Sequence, residues 1–456
     1  MLHSCFLHAA RQLVFRSSGG AALLMSAILN STLLMSVLVC QPVLAQGKKF
    51  VPNYDESQIG KVELPPLWAK QPPSDPAELK LAWEARRKEL LAQFTEHMFG
   101  AAPSTPAKIT WKSVESGSAF NGTARRQQIR VTLSTAAAEV PINLLVYSPA
   151  NAKGPCTTFL GLNFRGNHGE TNDPAVLLPS SWVPDSKDGS SENHRATEKG
   201  RGAQAHRLPV EAIVGQGCAV ATAYYGDIDP DFDDNFANGV HQLFPEHRPD
   251  EAHPNRWGSI AAWSWGLSRL LDVLQELPEV NKQHVIVFGH SRLGKTSLWA
   301  GANDTRFAGV ISNDSGCGGA ALSRRNFGET VERINTSFPH WFCRNFRQYN
   351  EQVDKLPIDQ HQLLALAAPR LLHVASASED LWADPRGEFL STRAASAIFE
   401  QLGVGGLQIK EFPSPGEASI GHVSYHLREG KHDLAAWDWE QYLKSAKLLT
   451  RRASER

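Results

Sequence analysis

The run His284-Val285-Ile286-Val287-Phe288-Gly289-His290-Ser291-Arg292-Leu293-Gly294-Lys295 carries a continuous apolar segment straight into a helix start. Residues 285–288 are β-branched or aromatic without interruption, the pattern of a strand buried on both faces. Gly289 ends it, and helical spacing follows Ser291 over residues 294–302. A serine at such a strand–turn–helix junction exposes its hydroxyl, with backbone N–H groups converging beside it. The fit to G-x-S-x-G is imperfect, because the second glycine, Gly294, comes one residue late. Residues 289–296 also fit G-x-x-x-x-G-K-[ST], so a phosphate-cradling loop is a competing reading of the same turn.

Outward from this turn, strands and helices alternate. Residues 127–133 and 140–147 alternate polar and apolar as strands do. Short apolar runs at 156–162, 218–225, 310–313 and 370–376 read as further strands. Helices are expected at 75–98, where Asp75 can act as N-cap, and at 210–216, 260–277, 391–402 and 435–450. Residues 167–207 are polar and rich in Gly, Ser, Asp and His, the composition of a long functional surface loop. Near-continuous apolar strands alternating with helices predict an α/β fold, a mostly parallel sheet covered on both faces in three layers.

Two later positions bear on the competing readings. A serine hydrolase of this architecture carries an acid and then a histidine on loops after later strands. Asp380 follows the 370–376 strand, and His432 lies in Gly430-Lys431-His432-Asp433, just before the last helix. A serine hydroxyl is a poor nucleophile at neutral pH, so it needs His432 to take its proton. An acid fixes the tautomer of that histidine and stabilises its charged form. A nucleotide-binding protein needs neither residue, although Asp314 could serve it as a magnesium ligand.

The bulk numbers exclude some partners. At 456 residues, with 42% apolar and 20% charged residues, the chain can bury a large core. A formal net charge of −1 gives no reason to expect a nucleic-acid partner. Twelve tryptophans suit either core packing or a sugar-binding surface. At the N-terminus, Arg11 and Arg16 flank the apolar stretch 21–39, and Val43-Leu44-Ala45 fits a cleavage site before Gln46. Residues 1–45 are therefore expected to be a signal peptide, with an uncleaved anchor as the alternative, and the mature protein to be secreted or periplasmic. Residues 46–75 read as an extended lead-in and 76–456 as one catalytic domain, with nothing demanding an oligomer. Four cysteines remain after cleavage, and Cys317 and Cys343, close in sequence, are the expected disulfide. The alternative is buried free thiols. No Cys or His cluster has zinc spacing.

Several longer motifs resemble one family. They are 289–295, the stretch Ser312-Asn313-Asp314-Ser315-Gly316-Cys317-Gly318-Gly319, Phe338-Pro339-His340-Trp341-Phe342-Cys343, Trp382-Ala383-Asp384-Pro385, Gly430-Lys431-His432-Asp433 and the looser Leu162-Asn163-Phe164-Arg165-Gly166-Asn167-His168. Together they resemble the glucuronoyl esterases, carbohydrate esterase family 15, in its bacterial branch, over roughly residues 80–445. The resemblance implies an α/β-hydrolase fold with no cofactor and no metal. It implies cleavage of the ester between (4-O-methyl-)glucuronic acid on xylan and an alcohol of lignin. By motif, Ser291 resembles the nucleophile, His432 the base and Arg292 a side-chain donor to the oxyanion. Lys295, Glu329 and Trp382 resemble the residues that hold the sugar acid, with His340 and Arg325 shaping the pocket. Fungal relatives place their acid where Asp314 stands, and many bacterial relatives where Asp380 stands. Asp380 is preferred, with Asp314 assisting or ordering the turn that follows it. The cysteines that fungal relatives carry beside the serine and histidine are His290 and Asp433 here. An acetyl or feruloyl esterase on the same fold, and a non-catalytic carbohydrate binder, are the alternative functions.

Overall fold

In the computed structural model, which describes residues 50–454, successive residues of the apolar run face opposite layers. Val285 and Val287 join one buried cluster, Ile286 and Phe288 the other. Burying such a side chain contributes roughly 1.5–3 kcal/mol, and the strand does so on both sides. The signal-peptide assignment lies outside the described residues.

The strands are β1 Lys108–Ala119, β2 Ala124–Ser134, β3 Glu139–Pro149, β4 Cys156–Asn163, β5 Ser191–Glu192, β6 Arg195–Ala196, β7 Ala219–Tyr224, β8 Val280–His290, β9 Gly309–Asn313, β10 Leu371–Ala377, β11 Glu417–Ser419 and β12 Val423–Arg428. Ten of them form one sheet in the order β1-β2-β3-β7-β4-β8-β9-β10-β12-β11. The six strands from β7 to β12 in that order pair in parallel. Antiparallel pairs close both edges.

The helices are α1 Pro76–Phe94, α2 Val210–Gly215, α3 Tyr225–Ile228, α4 Ser259–Leu274, α5 Arg292–Asn303, α6 Val331–Ser337, α7 Gln360–Ala365, α8 Pro385–Gln401 and α9 Ala436–Ser454. Side chains of α1, α4, α5, α7 and α8 enter the larger cluster, while α2 and α9 cover the other face with Ile213, Trp439 and Tyr442. This is the expected three-layer arrangement.

Several elements depart from the sequence expectation, three of them for plain reasons. Helix α8 begins at Pro385 rather than 391, because Asp384 caps it by accepting from Gly387 N at 2.9 Å and proline occupies its first turn. β1 lies at the sheet edge and is mostly exposed, so it lacks an apolar signal. β12 is wholly buried yet reads polar, Val-Ser-Tyr-His-Leu-Arg. The expected Cys317–Cys343 bridge is absent. Both are buried free thiols, as are Cys156 and Cys218, and Cys343 is instead held through its backbone N–H to Met98 O.

Candidate active site

The parallel strands end along one rim, and the candidate residues sit on the loops that leave them. Ser291 is the hinge between β8 and α5, with φ 58° and ψ −129°. That is an unfavourable backbone for a residue with a Cβ. Its N–H donates to Asn313 O on the neighbouring strand at 2.8 Å, which holds the turn shut. A Cβ at position 289 would stand 1.9 Å from Leu293 O, and one at 294 would stand 2.9 Å from the Ser315 Cβ. The late glycine is thus required by the approach of the Ser315 turn, while Leu293, one position earlier, points into the core. Helix α5 starts at Arg292, so its first N–H groups have no carbonyl partner within the helix and remain available beside Ser291.

The phosphate-loop reading does not survive this geometry. Lys295 Nζ is buried, donating to Ser315 O at 2.6 Å and lying 3.3 Å from Glu329 Oε2. Thr296 returns its hydroxyl to Arg292 O. Lys295 keeps one ammonium hydrogen and Thr296 none, too few for a phosphate cradle.

The loops after β10 and β12 are fastened to each other. Ser378 N donates to Arg428 O and Glu379 N to Gly430 O, each at 2.8 Å. This brings His432 Nδ1 within 2.6 Å of Asp380 Oδ2. The Asp380 side chain is buried and the His432 ring 40% exposed, so the ring is open to an incoming molecule. The His290 ring packs on the His432 ring, centroids 4.5 Å apart, and its Nδ1 meets Asn313 Oδ1 at 2.5 Å. Burial, and then the charge of His432, hold His290 neutral, well below the usual histidine range. Asp433 pairs with Arg207 at 2.6 Å, tying the long 167–207 loop to the His432 loop. At His290 and Asp433, the neighbours of Ser291 and His432, a ring contact and an ion pair therefore brace the site.

Asp314 is close by but differently engaged. One oxygen each of Asp314 and Asp380 and a ring nitrogen of His432 lie within 4.8 Å of one another. Yet Asp314 Oδ1 accepts from Ala377 N at 2.6 Å and Oδ2 from Asp433 N at 3.3 Å. Complete burial, then the charge of Asp380, push its carboxyl well above the usual range.

The other expected residues divide into two groups. Arg292 lies at the elbow, its guanidinium between the rings of Phe164 and Trp341 at 5.3 and 5.1 Å. Lys295, Glu329 and Trp382 form a connected corner, since Glu329 N donates to Trp382 O at 2.9 Å. His340 and Arg325 are bracing residues. His340 Nε2 lies 2.9 Å from Asp231 Oδ1, and Arg325 reaches Asp384 and Glu56 at 2.8 and 2.6 Å.

The lead-in has a part that its sequence did not reveal. Phe50 meets Trp382 edge to face at 6.0 Å, Tyr54 meets Phe327 likewise, and Asn53 O accepts from Gly328 N. Burial, then the negative charge of Asp380, raise the Tyr54 hydroxyl pKa. This segment straps the loops that carry Glu329 and Trp382. Only single aromatic residues among Pro, Lys and Gln could have signalled it.

Residues 242–403 match the family described as glucuronyl esterase, fungi. The chain is 46% identical over 407 residues to carbohydrate esterase MZ0003 from an unknown prokaryotic organism, covering 89% of this chain and 93% of that one. A structure described as a promiscuous CE15 esterase from a marine bacterial metagenome matches with a TM-score of 0.78 at 44% identity, over 87% of this chain and 99% of that one. A glucuronoyl esterase from Solibacter usitatus matches with a TM-score of 0.79 at 41% identity, over 86% and 99%. Near-complete coverage at such identity extends the likeness from the sheet to the loops on its rim, and the chain belongs to carbohydrate esterase family 15, the glucuronoyl esterases, in its bacterial branch and with its α/β-hydrolase fold.

Proposed function

We propose that this chain is a serine carboxylic ester hydrolase acting on esters of (4-O-methyl-)D-glucuronic acid, as found in lignin–glucuronoxylan cross-links. The observation that carries the reading is the His432–Asp380 contact at 2.6 Å beside the strained Ser291 elbow, in a chain whose relatives include glucuronoyl esterases.

In this reading Ser291 Oγ attacks the ester carbonyl and gives its proton to His432 Nε2, the nitrogen left free by Asp380. The tetrahedral oxyanion is stabilised by first-turn N–H groups of α5 and by the Arg292 guanidinium, a donor of the kind worth roughly 3–4 kcal/mol. His432 then protonates the leaving alcohol. Water, deprotonated by the same nitrogen, attacks the acyl-enzyme and releases the uronic acid. Asp380 is the triad acid, because it meets His432 Nδ1 at 2.6 Å, while Asp314 has both its oxygens on backbone N–H groups and a carboxyl pushed well above its usual range by burial and then by the charge of Asp380. Lys295 has one ammonium hydrogen beyond its two protein partners, and with Glu329 and Trp382 it holds the sugar hydroxyls. We place the enzyme outside the cytoplasm on the strength of its N-terminal pattern, and as a monomer because nothing in the sequence demands an oligomer. Among the described residues no helix is long and apolar enough to cross a membrane.

Release of benzyl alcohol from benzyl glucuronate tests this. Wild type is expected to turn over and Ser291→Ala to lose essentially all activity; a silent wild type or an active Ser291→Ala would sink it. The marine relative described as promiscuous favours, as a second reading, a broader range that includes acetyl or feruloyl esters. Comparing kcat/KM across the three ester classes separates the two.

A further inference from the structure

Arg292 stands where a cation is unwelcome, at the N-terminus of α5. Its long side chain carries about 2 kcal/mol of rotamer entropy and would by default swing into water. It is instead held on three sides. The guanidinium lies over the rings of Phe164 and Trp341, and Asp231 Oδ2 lies 3.1 Å from Nη1. The Nε hydrogen is buried and has no partner. The clamp therefore leaves the Nη2 group of this arginine without a protein partner among the described residues, on a residue next to Ser291 whose side chain is 27% exposed.

Asp231 is itself built in from several directions. Tyr225 donates its hydroxyl to Oδ2 at 2.9 Å, Trp341 donates Nε1–H to Oδ1 at 2.7 Å, and His340 Nε2 lies 2.9 Å from Oδ1. Burial pushes the carboxyl up, but the His340 hydrogen bond and the Arg292 charge outweigh it and keep the group below its usual value. A carboxylate with four partners from three segments has one fixed position, and it imposes that position on Arg292. Trp341 belongs to both halves of the clamp, stacking on the arginine and bonding its counter-ion.

We infer that Asp231 is a positioning residue for the ester hydrolysis: it fixes the Arg292 guanidinium so that its remaining Nη N–H groups meet the oxyanion formed at Ser291. The inference rests on the glucuronate esterase reading and adds to it a residue sixty positions upstream of the elbow, on the loop after α3, that touches no substrate. An interaction used only in the transition state lowers kcat without changing KM when it is lost.

The experiment is a double-mutant cycle on benzyl glucuronate with wild type, Asp231→Asn, Arg292→Ala and the double variant, with thermal unfolding of each. Removing a whole oxyanion donor costs roughly 10²–10³-fold in kcat, so Asp231→Asn, which only releases the donor, is expected to lower kcat by about 10–100-fold with KM within about twofold. The double variant is expected to be no slower than Arg292→Ala. A kcat unchanged by Asp231→Asn, a change in KM alone, or a loss carried in full into the Arg292→Ala background would overturn the inference. If Asp231→Asn does not fold, the cycle is run with Tyr225→Phe, which keeps the carboxylate and removes one of its donors. A kcat loss that vanishes in the Arg292→Ala background then supports the inference, and no loss or an additive one overturns it. An active wild type with a dead Ser291→Ala and an unaffected Asp231→Asn sinks this inference alone. A silent wild type sinks the esterase reading and this inference with it.

Discussion

His432 Nδ1 lies 2.6 Å from Asp380 Oδ2, while Asp314, the second acid at this corner of the sheet, has both its oxygens on backbone N–H groups. The two acids are close in space and differently engaged. Asp380 makes a charge-assisted contact to an imidazole, whereas Asp314 is fully buried, with its carboxyl pKa pushed up by burial and by Asp380. Replacing the triad acid by an amide in a serine hydrolase leaves geometry intact but lowers kcat about 10⁴-fold through the wrong tautomer. Asp380→Asn is therefore expected to lose about 10³–10⁴ in kcat with an unchanged melting temperature. Asp314→Asn keeps the acceptor for Ala377 N and sets an amide NH2 against Asp433 N, so it is expected to lower the melting temperature and to lose less than about tenfold in kcat. Steady-state kinetics on benzyl glucuronate ranks the two.

How far the site was legible follows from the kind of signal each residue leaves. Ser291 and Asp380 could be found because each follows a strand that the sequence shows, and His432 because it comes after both, just before the last helix. Chain order favours Asp380 over Asp314, but the close contact itself depends on the hydrogen bonds that join the β10 and β12 loops. β12 itself was hidden by its composition. His426 is buried against His373 and Asp438 at 2.9 and 2.8 Å, and Arg428 reaches Asp438 at 2.9 Å. A strand whose polar side chains are satisfied internally does not read as apolar. Asp231 was missed for a related reason: it acts through Arg292 and belongs to no local motif.

Lys295 and Glu329 form a buried pair at 3.3 Å. Removing one partner of such a pair strands the other charge and costs roughly 3–5 kcal/mol, whereas replacing both by apolar or neutral groups is often close to neutral. Lys295→Met alone is expected to destabilise by about 3 kcal/mol, and Lys295→Met with Glu329→Gln to recover most of that loss. The double variant should still bind a glucuronate ester poorly. Denaturant unfolding with KM on the same proteins separates the structural share from the binding share.

The Arg207–Asp433 pair is partly exposed, so its share of stability is small, about 0.2–1 kcal/mol. Its position gives it more influence on activity, because it joins the 167–207 loop to the residue after His432. Asp433→Asn is expected to leave the melting temperature within a few degrees of wild type and to lower kcat/KM several-fold. An unchanged kcat/KM would show that the His432 loop needs no tie to the long loop.

Glu388 supports the Ser315 turn from below. Its Oε1 accepts from Ser315 N and Gly316 N at 2.9 Å, and Ser376 Oγ lies 2.5 Å from Oε2. Burial pushes its pKa up to about 8. The folded state therefore holds this proton more tightly than the unfolded chain, whose glutamates titrate near about 4.3. The resulting stabilisation is full below that lower value, fades as pH rises, and is gone above about 8. Glu170, also pushed up to about 8 by burial, adds a slope of the same sign. Glu388→Gln stays neutral at every pH, so the fall in melting temperature between pH 5 and pH 8 is expected to be smaller in the variant. Thermal melts at the two pH values check this, and an equal fall in both proteins would show Glu388 to be ionised in the native state.

The elbow departs from G-x-S-x-G at Leu293, and the departure has a structural reason that can be tested. Leu293 is buried in the larger core cluster, and Gly294 faces the Ser315 side chain where no Cβ fits. Writing the usual motif into this chain as Leu293→Gly removes a buried side chain and adds backbone freedom in the first turn of α5. Truncating a buried leucine costs about 2–5 kcal/mol, and glycine in a helix costs about 1 kcal/mol more. Leu293→Gly is therefore expected to lower stability by at least about 3 kcal/mol and to gain no activity. Gly294→Ala should distort the turn, because its Cβ would lie 2.9 Å from the Ser315 Cβ and 3.2 Å from Asn313 O, the carbonyl that accepts from Ser291 N. Its loss should fall mainly on kcat, since Ser291 moves with that hydrogen bond. A Gly294→Ala enzyme with wild-type kcat would mean that the Ser315 turn can yield without disturbing the nucleophile.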